Sequence, residues 1–383
     1  MRLFISAGEP SGDLHGANLS RALRDRHPDV DLLGFGGDRM AEAGCRIVYP
    51  LCDYAVVGLG AAIRGIPTFY RILKLARETF RRERPDGLVL IDYPGFHWWL
   101  AKAARAEGIP VTYFVPPQLW AWGGWRVRKM RRLADQVLCS LPFEEVWFQQ
   151  RQVPARYIGH PYFDELARQR LDSAFVAEQR AKPGTIVGIL PGSRHSELNG
   201  NITSFAEAAQ IIHAKRPDVR FLVACLKPAH ADLIRSKLAG LAVPLEVHAG
   251  RTAEIIHLAH SCMAVSGSVS LELLHRARPS TIVYHIPALA YAISKVLLQA
   301  KYITLVNLLA DELLYPEHIF TRGMVGREIA AEILHWLDDR AAYEDLCGRL
   351  EALKAKVAVP GACARAAVAV AELAQARTRR RAA

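Results

Sequence analysis

Short apolar runs alternate with longer helical stretches along this chain, and the alternation occurs twice. The first series places strands at 2–7, 31–36, 87–92, 111–115 and 136–140, with helices near 13–27, 64–84, 97–108 and 126–134. The second begins after about residue 160. Its strands fall at 185–190, 219–225, 244–248, 261–266 and 280–285, and its helices near 197–216, 228–239, 252–260, 268–277 and 327–358. Strand–helix alternation requires a parallel sheet covered by helices on both faces. Two such series within 383 residues predict an α/β chain of two facing, doubly wound Rossmann-like domains with a cleft between them. The polar stretch 164–183 marks the boundary. We expect an N-terminal domain at 1–165, a C-terminal domain at 166–345, and a helical segment at 346–383 that packs back on the first.

Composition narrows the class. With 51% hydrophobic and 23% charged residues, the chain is neither mainly disordered nor collagen-like. Seven cysteines at irregular spacing, with no Cys-x-x-Cys, argue against a disulfide framework or a structural zinc site. Buried thiols in a reducing cytosol are expected. The apolar run at the N-terminus is too short for a signal peptide, and no uncharged apolar stretch reaches the roughly 18 residues of a membrane span.

The net charge of +11 is local. Segments 64–84, 126–132 and 365–383 carry +5, +5 and +4, which leaves the remainder slightly acidic. With no recognised module present, this favours patches over nucleic-acid binding. In the first segment Ile66, Phe69, Leu73, Ala76 and Phe80 form a helical stripe, with Arg71 and Lys74 on another arc. That is either a core-facing surface helix or an amphipathic element on an anionic membrane. The second reading would use Val57, Leu59 and Ile63 of the preceding apolar loop together with Ile66, Phe69, Arg71 and Lys74.

Four loops follow predicted strands, where α/β folds place their chemistry. Gly8-Glu9-Pro10-Ser11-Gly12-Asp13 is a tight turn that sets a carboxylate at a strand end; Ser11 or Asp13 would cap the next helix. Asp92 closes the apolar run 88–91 and reads as a general base or as a helix cap. Pro191-Gly192-Ser193-Arg194 opens a helix whose N-terminus suits a phosphate, with Arg194 as a bidentate partner. Ser266-Gly267-Ser268 opens another, with Glu272 placed to reach a ribose. Two anion loops in the second half suggest a nucleotide diphosphate there. Tryptophans cluster in the first half, and Gln118, Trp120 and Arg126 lie in a loop with aromatics beside cations, suited to an amphiphile bearing phosphate or sugar.

Taken in order, Ala7-Gly8-Glu9-Pro10-Ser11-Gly12-Asp13, Gly36-Gly37-Asp38-Arg39-Met40, Ile91-Asp92-x-Pro94, Trp120-Ala121-Trp122, Leu141-Pro142-Phe143-Glu144, Gly159-His160-Pro161, Leu190-Pro191-Gly192-Ser193-Arg194, Ser266-Gly267-Ser268 and Asn307-Leu308-Leu309-Ala310 resemble the lipid-A-disaccharide synthase family. The resemblance runs from about residue 3 to 320. It implies an inverting GT-B glycosyltransferase that joins UDP-2,3-diacylglucosamine to 2,3-diacylglucosamine 1-phosphate by a β-1,6 bond and releases UDP. It further implies peripheral attachment to the cytoplasmic face of the inner membrane, at a segment that matches about 55–75. Asp92 matches the family's base, Arg194 its essential arginine and Glu9 its N-terminal loop glutamate. Asn307 falls among the nucleotide-sugar residues, with Gly192, Ser193, Ser266, Gly267, Ser268 and Glu272. Ser11, Gly12, Gln118, Trp120 and Arg126 fall on the acceptor side. The family usually reads Ile-Asp-x-Pro-Asp-Phe-Asn, where this chain has Gly95 and His97.

The expected mechanism is one displacement. Asp92 takes the proton from the acceptor 6-hydroxyl, with Glu9 orienting the acceptor or assisting. Arg194 offsets charge on the leaving UDP. No Asp-x-Asp pair sits in a suitable loop, so no metal or other cofactor is expected. A homodimer stays open. The alternatives are another UDP-sugar GT-B enzyme with a different acceptor, a UDP-sugar epimerase, or a non-catalytic lipid- or nucleic-acid-binding protein.

Overall fold

The computed structural model describes residues 1–54 and 66–382, which divide into two compact units. The first comprises Met1–Ala167 and Val359–Ala383, the second Arg168–Ala358.

In the first unit seven strands form one parallel sheet: β1 (Arg2–Ala7), β2 (Asp31–Phe35), β3 (Arg46–Tyr49), β4 (Gly87–Ile91), β5 (Val111–Phe114), β6 (Gln136–Cys139) and β7 (Ala155–Tyr157). Their order is β3-β2-β1-β4-β5-β6-β7. Period-two alternation sends Leu3, Ile5, Val89 and Ile91 into one buried layer, and Phe4, Leu88 and Leu90 into the other. Both faces are covered, so the central strands read as continuous apolar runs. The second unit repeats the plan with six strands: β8 (Thr185–Leu190), β9 (Val219–Cys225), β10 (Leu245–Ala249), β11 (Ser261–Val265), β12 (Ser280–His285) and β13 (Glu317–Phe320), in the order β10-β9-β8-β11-β12-β13.

Three strands escaped the sequence reading. β3, β7 and β13 are edge strands of three or four residues with mostly half-exposed side chains. They lack the apolar run that marks a doubly covered strand. The two units divide between Ala167 and Arg168, within the stretch expected as a polar boundary, which also holds the helices Tyr162–Arg168 and Ser173–Ala181. The expected helix at 327–358 is two helices, Gly326–Asp338 and Arg340–Val357, parted where the Asp339 side chain caps the second.

The returning C-terminal segment is shorter than 346–383. Leu346, Leu350 and Leu353 are buried in the second unit, and the return to the first begins at Val359. The chain turns at Pro360-Gly361, with Gly361 at φ +93°, and enters the helix Ala362–Ala382. This helix packs its small residues Ala362, Ala366, Ala367 and Ala374 against Ala17, Leu19 and Leu23 of the helix Pro10–Arg26. The buried Asp164 carboxylate accepts hydrogen bonds from the backbone N–H groups of Gly361, Ala362 and Cys363, satisfying the first turn. Arg365 donates to the Ile158 carbonyl, and Arg377 to the carbonyls of Pro85 and Glu107. Two arginines of the basic tail are therefore latches within the protein. By length and composition 340–377 could cross a membrane, but it breaks at Ala358–Gly361 and half of its most apolar window is buried.

Asp164→Ala leaves that helix start without its acceptor. It should cost about 2 kcal/mol, read as a lowered urea midpoint.

Candidate functional site

In a doubly wound sheet, neighbouring strands whose connections run to opposite sides leave a crevice at their carboxyl ends. In the first sheet that point lies between β1 and β4, which are paired with Ala7 opposite Ile91. The next residues are Gly8-Glu9 on one strand and Asp92-Tyr93 on the other. A Cβ on Gly8 would fall 2.3 Å from the Tyr93 ring, so only glycine lets the two loops meet. The Glu9 backbone begins the helix Pro10–Arg26 without using its side chain as a cap. Asp92 keeps an accessible face, while protein crowds its other side. That crowding, with the nearby Glu9 charge, pushes its carboxyl up to about 6. Asp92 does not cap its helix; the N-cap residue of Pro94–Ala106 is Tyr93. Asp92 and Tyr93 both adopt left-handed backbone, with φ of +45° and +48°.

Behind them lies a buried pair that the sequence reading did not assign. His97 Nδ1 is 2.7 Å from the Asp92 carbonyl oxygen and Nε2 is 2.9 Å from Ser6 Oγ. The available signal was Ser6 itself, a hydroxyl closing the apolar run Leu3-Phe4-Ile5.

Other residues expected on the acceptor side have scaffold contacts. Gly12 is buried, with its Cα facing Ala7 and Ile91, and seats the helix on the sheet. Asp13 caps the following short helix, Asp38–Glu42, accepting from the N–H groups of Gly37, Arg39 and Met40, rather than its own helix. Trp120 is 9% exposed and its indole N–H donates to the buried Glu144, which also accepts from the N–H groups of Ser140 and Leu141. Arg126 lies over the Trp122 ring at 4.0 Å and donates to the Trp122 and Gly123 carbonyls. Ser11 and Gln118 are exposed.

The helix Ile66–Glu83 buries Leu73, Ala76 and Phe80, and Phe69 packs on Phe96 with ring centroids 5.5 Å apart. Its stripe, including Phe69, belongs to the core. Arg71 and Lys74 are exposed. Val57, Leu59, Ile63 and the Ile66 side chain lie outside the described residues. Among the described residues the exposed aromatics are Tyr70, on this same helix next to Arg71, and Trp99, Trp122 and Trp125. After Trp125 come Arg128, Lys129, Arg131 and Arg132, all exposed and in no ion pair among the described residues.

In the second sheet the corresponding point lies between β8 and β11, paired with Leu190 opposite Ala264. Residues 191–194 and 266–268 therefore leave the sheet side by side. Ser193, Arg194, Gly267 and Ser268 are exposed, and space around the Gly267 Cα is open. The start of the helix His195–Lys215 is already partly satisfied: Glu197 accepts from the N–H groups of Ser193 and Arg194, and from the Arg194 guanidinium at 3.1 Å. Gly192, at φ +108°, is packed against that glutamate. Glu272 is 3% exposed and held by Gln169 and Arg276. Asn307 is fully buried: its amide N–H groups donate to the Tyr315 carbonyl and Glu317, and its oxygen accepts from the N–H groups of Leu314 and Tyr315. It organises its own loop and has no free polar valence for a nucleotide.

Two parallel-sheet α/β units, one with neighbouring carboxylates at its switch point and one with two small-residue loops leaving its sheet side by side, the first ending in the exposed Arg194, define a protein of the GT-B class. Solved structures share the fold: the glycotransferase of kitacinnamycin (TM-score 0.66, 15% identity, 97% of this chain and 98% of that one) and UDP-GlcNAc 2-epimerase from Neisseria meningitidis bound to UDP-GlcNAc (TM-score 0.63, 12% identity, 91% and 94%). The lipid-A-disaccharide synthetase family model matches residues 3–366. Lipid-A-disaccharide synthase of Myxococcus xanthus is 33% identical over 375 residues, 97% of each chain. The chain belongs to the lipid-A-disaccharide synthetase family and is a glycosyltransferase.

Gly8→Ala should destabilise the first unit by about 1–3 kcal/mol through overpacking on Tyr93. In a Tyr93→Ala background the same substitution should cost much less, a coupling that urea unfolding of the four proteins measures.

Proposed function

We propose that the chain joins UDP-2,3-diacylglucosamine to the 6-hydroxyl of 2,3-diacylglucosamine 1-phosphate with inversion, giving the β-1,6 disaccharide 1-phosphate and UDP. The observation that carries this reading is the accessible Asp92 at the switch point of the first sheet, with Glu9 beside it. The Asp92 carboxylate removes the 6-hydroxyl proton. The hydroxyl oxygen bonds to the donor's anomeric carbon on the face opposite UDP. The anomeric C–O bond breaks and its electron pair leaves with the diphosphate. Glu9 orients the acceptor. A negative Glu9 also raises the affinity of Asp92 for the proton it must take.

Arg194 sits at the mouth of the second unit's switch point, and its present partner, Glu197, is on its own helix. We assign it to the leaving diphosphate, with the open backbone of 266–268. Engaging that charge requires the guanidinium to exchange Glu197 for phosphate. The chemistry then needs no metal.

We assign attachment at the cytoplasmic face of the inner membrane to Trp122, Trp125 and the cations 128–132. Tryptophan suits the headgroup zone, and arginines without an acidic partner among the described residues suit anionic lipid. The substrates' acyl chains make such a surface necessary.

Incubating the protein with both acylated substrates should yield the disaccharide 1-phosphate by mass spectrometry; a product formed from the UDP-sugar alone would instead indicate epimerisation. Asp92→Asn should lower turnover by about 10²–10⁴-fold. The Asp92 carboxyl is raised, so it holds a proton below about 6 and cannot accept one. The pH profile of kcat/KM should therefore climb through about 6 and level above it. Chelation with EDTA should leave the rate unchanged.

A further inference from the structure

The candidate base stands on a backbone that needs support. Asp92 and Tyr93 are consecutive left-handed residues, and neither is glycine. Such a conformation persists only where surrounding contacts hold it. Asp92 is held on both sides. Its N–H donates to the Val115 carbonyl at 3.1 Å, which continues the β4–β5 ladder. Its carbonyl accepts from His97 at 2.7 Å.

The direction of each bond follows from the partners. A carbonyl oxygen only accepts, so His97 Nδ1 carries the hydrogen. The ring is fully buried, and burial pushes its affinity for a second proton down to about 4. It is therefore neutral near pH 7, and Nε2 is a bare acceptor. The Ser6 hydroxyl, 2.9 Å away, must donate to it. The groups around the ring are Ser6 from β1, the Asp92 carbonyl, and the Tyr93 and Phe96 rings at 5.7 and 6.3 Å. Ser6 lies on the same sheet face as Phe4, Leu88 and Leu90, beneath the helix Pro94–Ala106 that carries His97. The Asp92 carbonyl thus selects the imidazole tautomer, the Ser6 hydroxyl answers the bare Nε2 from within a largely apolar layer, and the imidazole fixes the peptide that carries the base.

We propose that His97 is a positioning residue for Asp92: its Nδ1–H, oriented by the Ser6 hydroxyl, clamps the left-handed Asp92–Tyr93 turn and so sets the direction of the carboxylate. This rests on the reading of Asp92 as the base. It assigns Ser6 and His97 to catalysis through geometry, without contact with substrate.

The test uses the full chain and the variants His97→Leu, His97→Asn, Ser6→Ala and Asp92→Asn, each with its melting curve. UDP release is followed against both substrates and across pH. His97→Leu removes the clamp and should lower kcat by about 100-fold, the cost of a small misplacement, with the donor KM little changed. His97→Asn keeps an N–H at the Nδ1 position and should recover most of that loss. Ser6→Ala should lower kcat about tenfold and shift the acid limb of the profile. Nitrogen NMR of the unmodified protein should show the His97 ring protonated at Nδ1 only. Should His97→Leu fail to fold, Ser6→Ala and the tautomer decide. A Ser6→Ala protein with unchanged kcat and acid limb, or a ring protonated at Nε2, overturns the proposal. An inactive Asp92→Asn beside a fully active His97→Leu overturns it alone. An active Asp92→Asn removes the base reading itself, and the tautomer then judges the clamp separately.

Discussion

Ala7 pairs with Ile91 in the β1–β4 ladder, and the first unit's site follows from that register. One residue further, Gly8 meets the Tyr93 ring and the Glu9 charge reaches Asp92. One residue back, Ser6 points into the layer that holds His97. A slip by one position would turn every side chain of β1 to the other face. Ser6 would then enter the layer of Val89 and Ile91, and a carbon side chain would face the imidazole. The register is fixed because both faces are buried: Leu3 and Ile5 fill one layer and Phe4 the other. Core packing and the geometry of the proposed site are therefore set by one ladder.

The same burial explains what could be read in the sequence. A strand covered on both faces must be apolar throughout, so β1, β4, β8 and β11 were legible, and with them the four loops at the switch points. An edge strand has no such requirement, and β3, β7 and β13 were not legible. The loops could be located but the work of each residue within them could not. Trp120, Glu272 and Asn307 are residue types that bind sugars and nucleotides, yet here their polar atoms serve Glu144, then Gln169 and Arg276, and then the 314–315 backbone with the Glu317 carboxylate, respectively. Apart from Arg276, one helical turn beyond Glu272, the partners are side chains distant in sequence or groups of the following loop, and no regular spacing encodes them. The family resemblance had the same gap. Several of its motifs are joints of the scaffold: Asp13 with Gly37, and Glu144 with Trp120.

The two switch points handle charge in opposite ways. At the first, two carboxylates crowd together and Asp92 is driven toward its neutral form, which suits a group that must take up a proton. At the second, Glu197 satisfies the helix start and pairs with Arg194. That carboxylate keeps the guanidinium oriented at an exposed site, where it would otherwise sample many rotamers. In the proposed binding mode, a diphosphate at Arg194 therefore competes with an internal anion rather than meeting an empty cation.

Fold alone leaves the chemistry open, since an epimerase and a glycosyltransferase share this architecture at TM-scores of 0.63 and 0.66. Both kinds of enzyme need a cradle for a nucleotide diphosphate, and a parallel sheet supplies it wherever two strands diverge. What a transferase needs in addition is a base for a second sugar, and a base is useful only where its lone pair meets the hydroxyl within hydrogen-bond reach. The Asp92–Tyr93 turn is strained backbone at the end of a fully buried strand, tied on one side to Val115 and on the other to His97. Single left-handed residues also occur in ordinary connections, at Arg84, Gln152 and Ala277, but two in succession occur among the described residues only at Asp92–Tyr93. The persistence of that turn fits the proposed role of Asp92, in which the direction of the carboxylate matters as well as its charge.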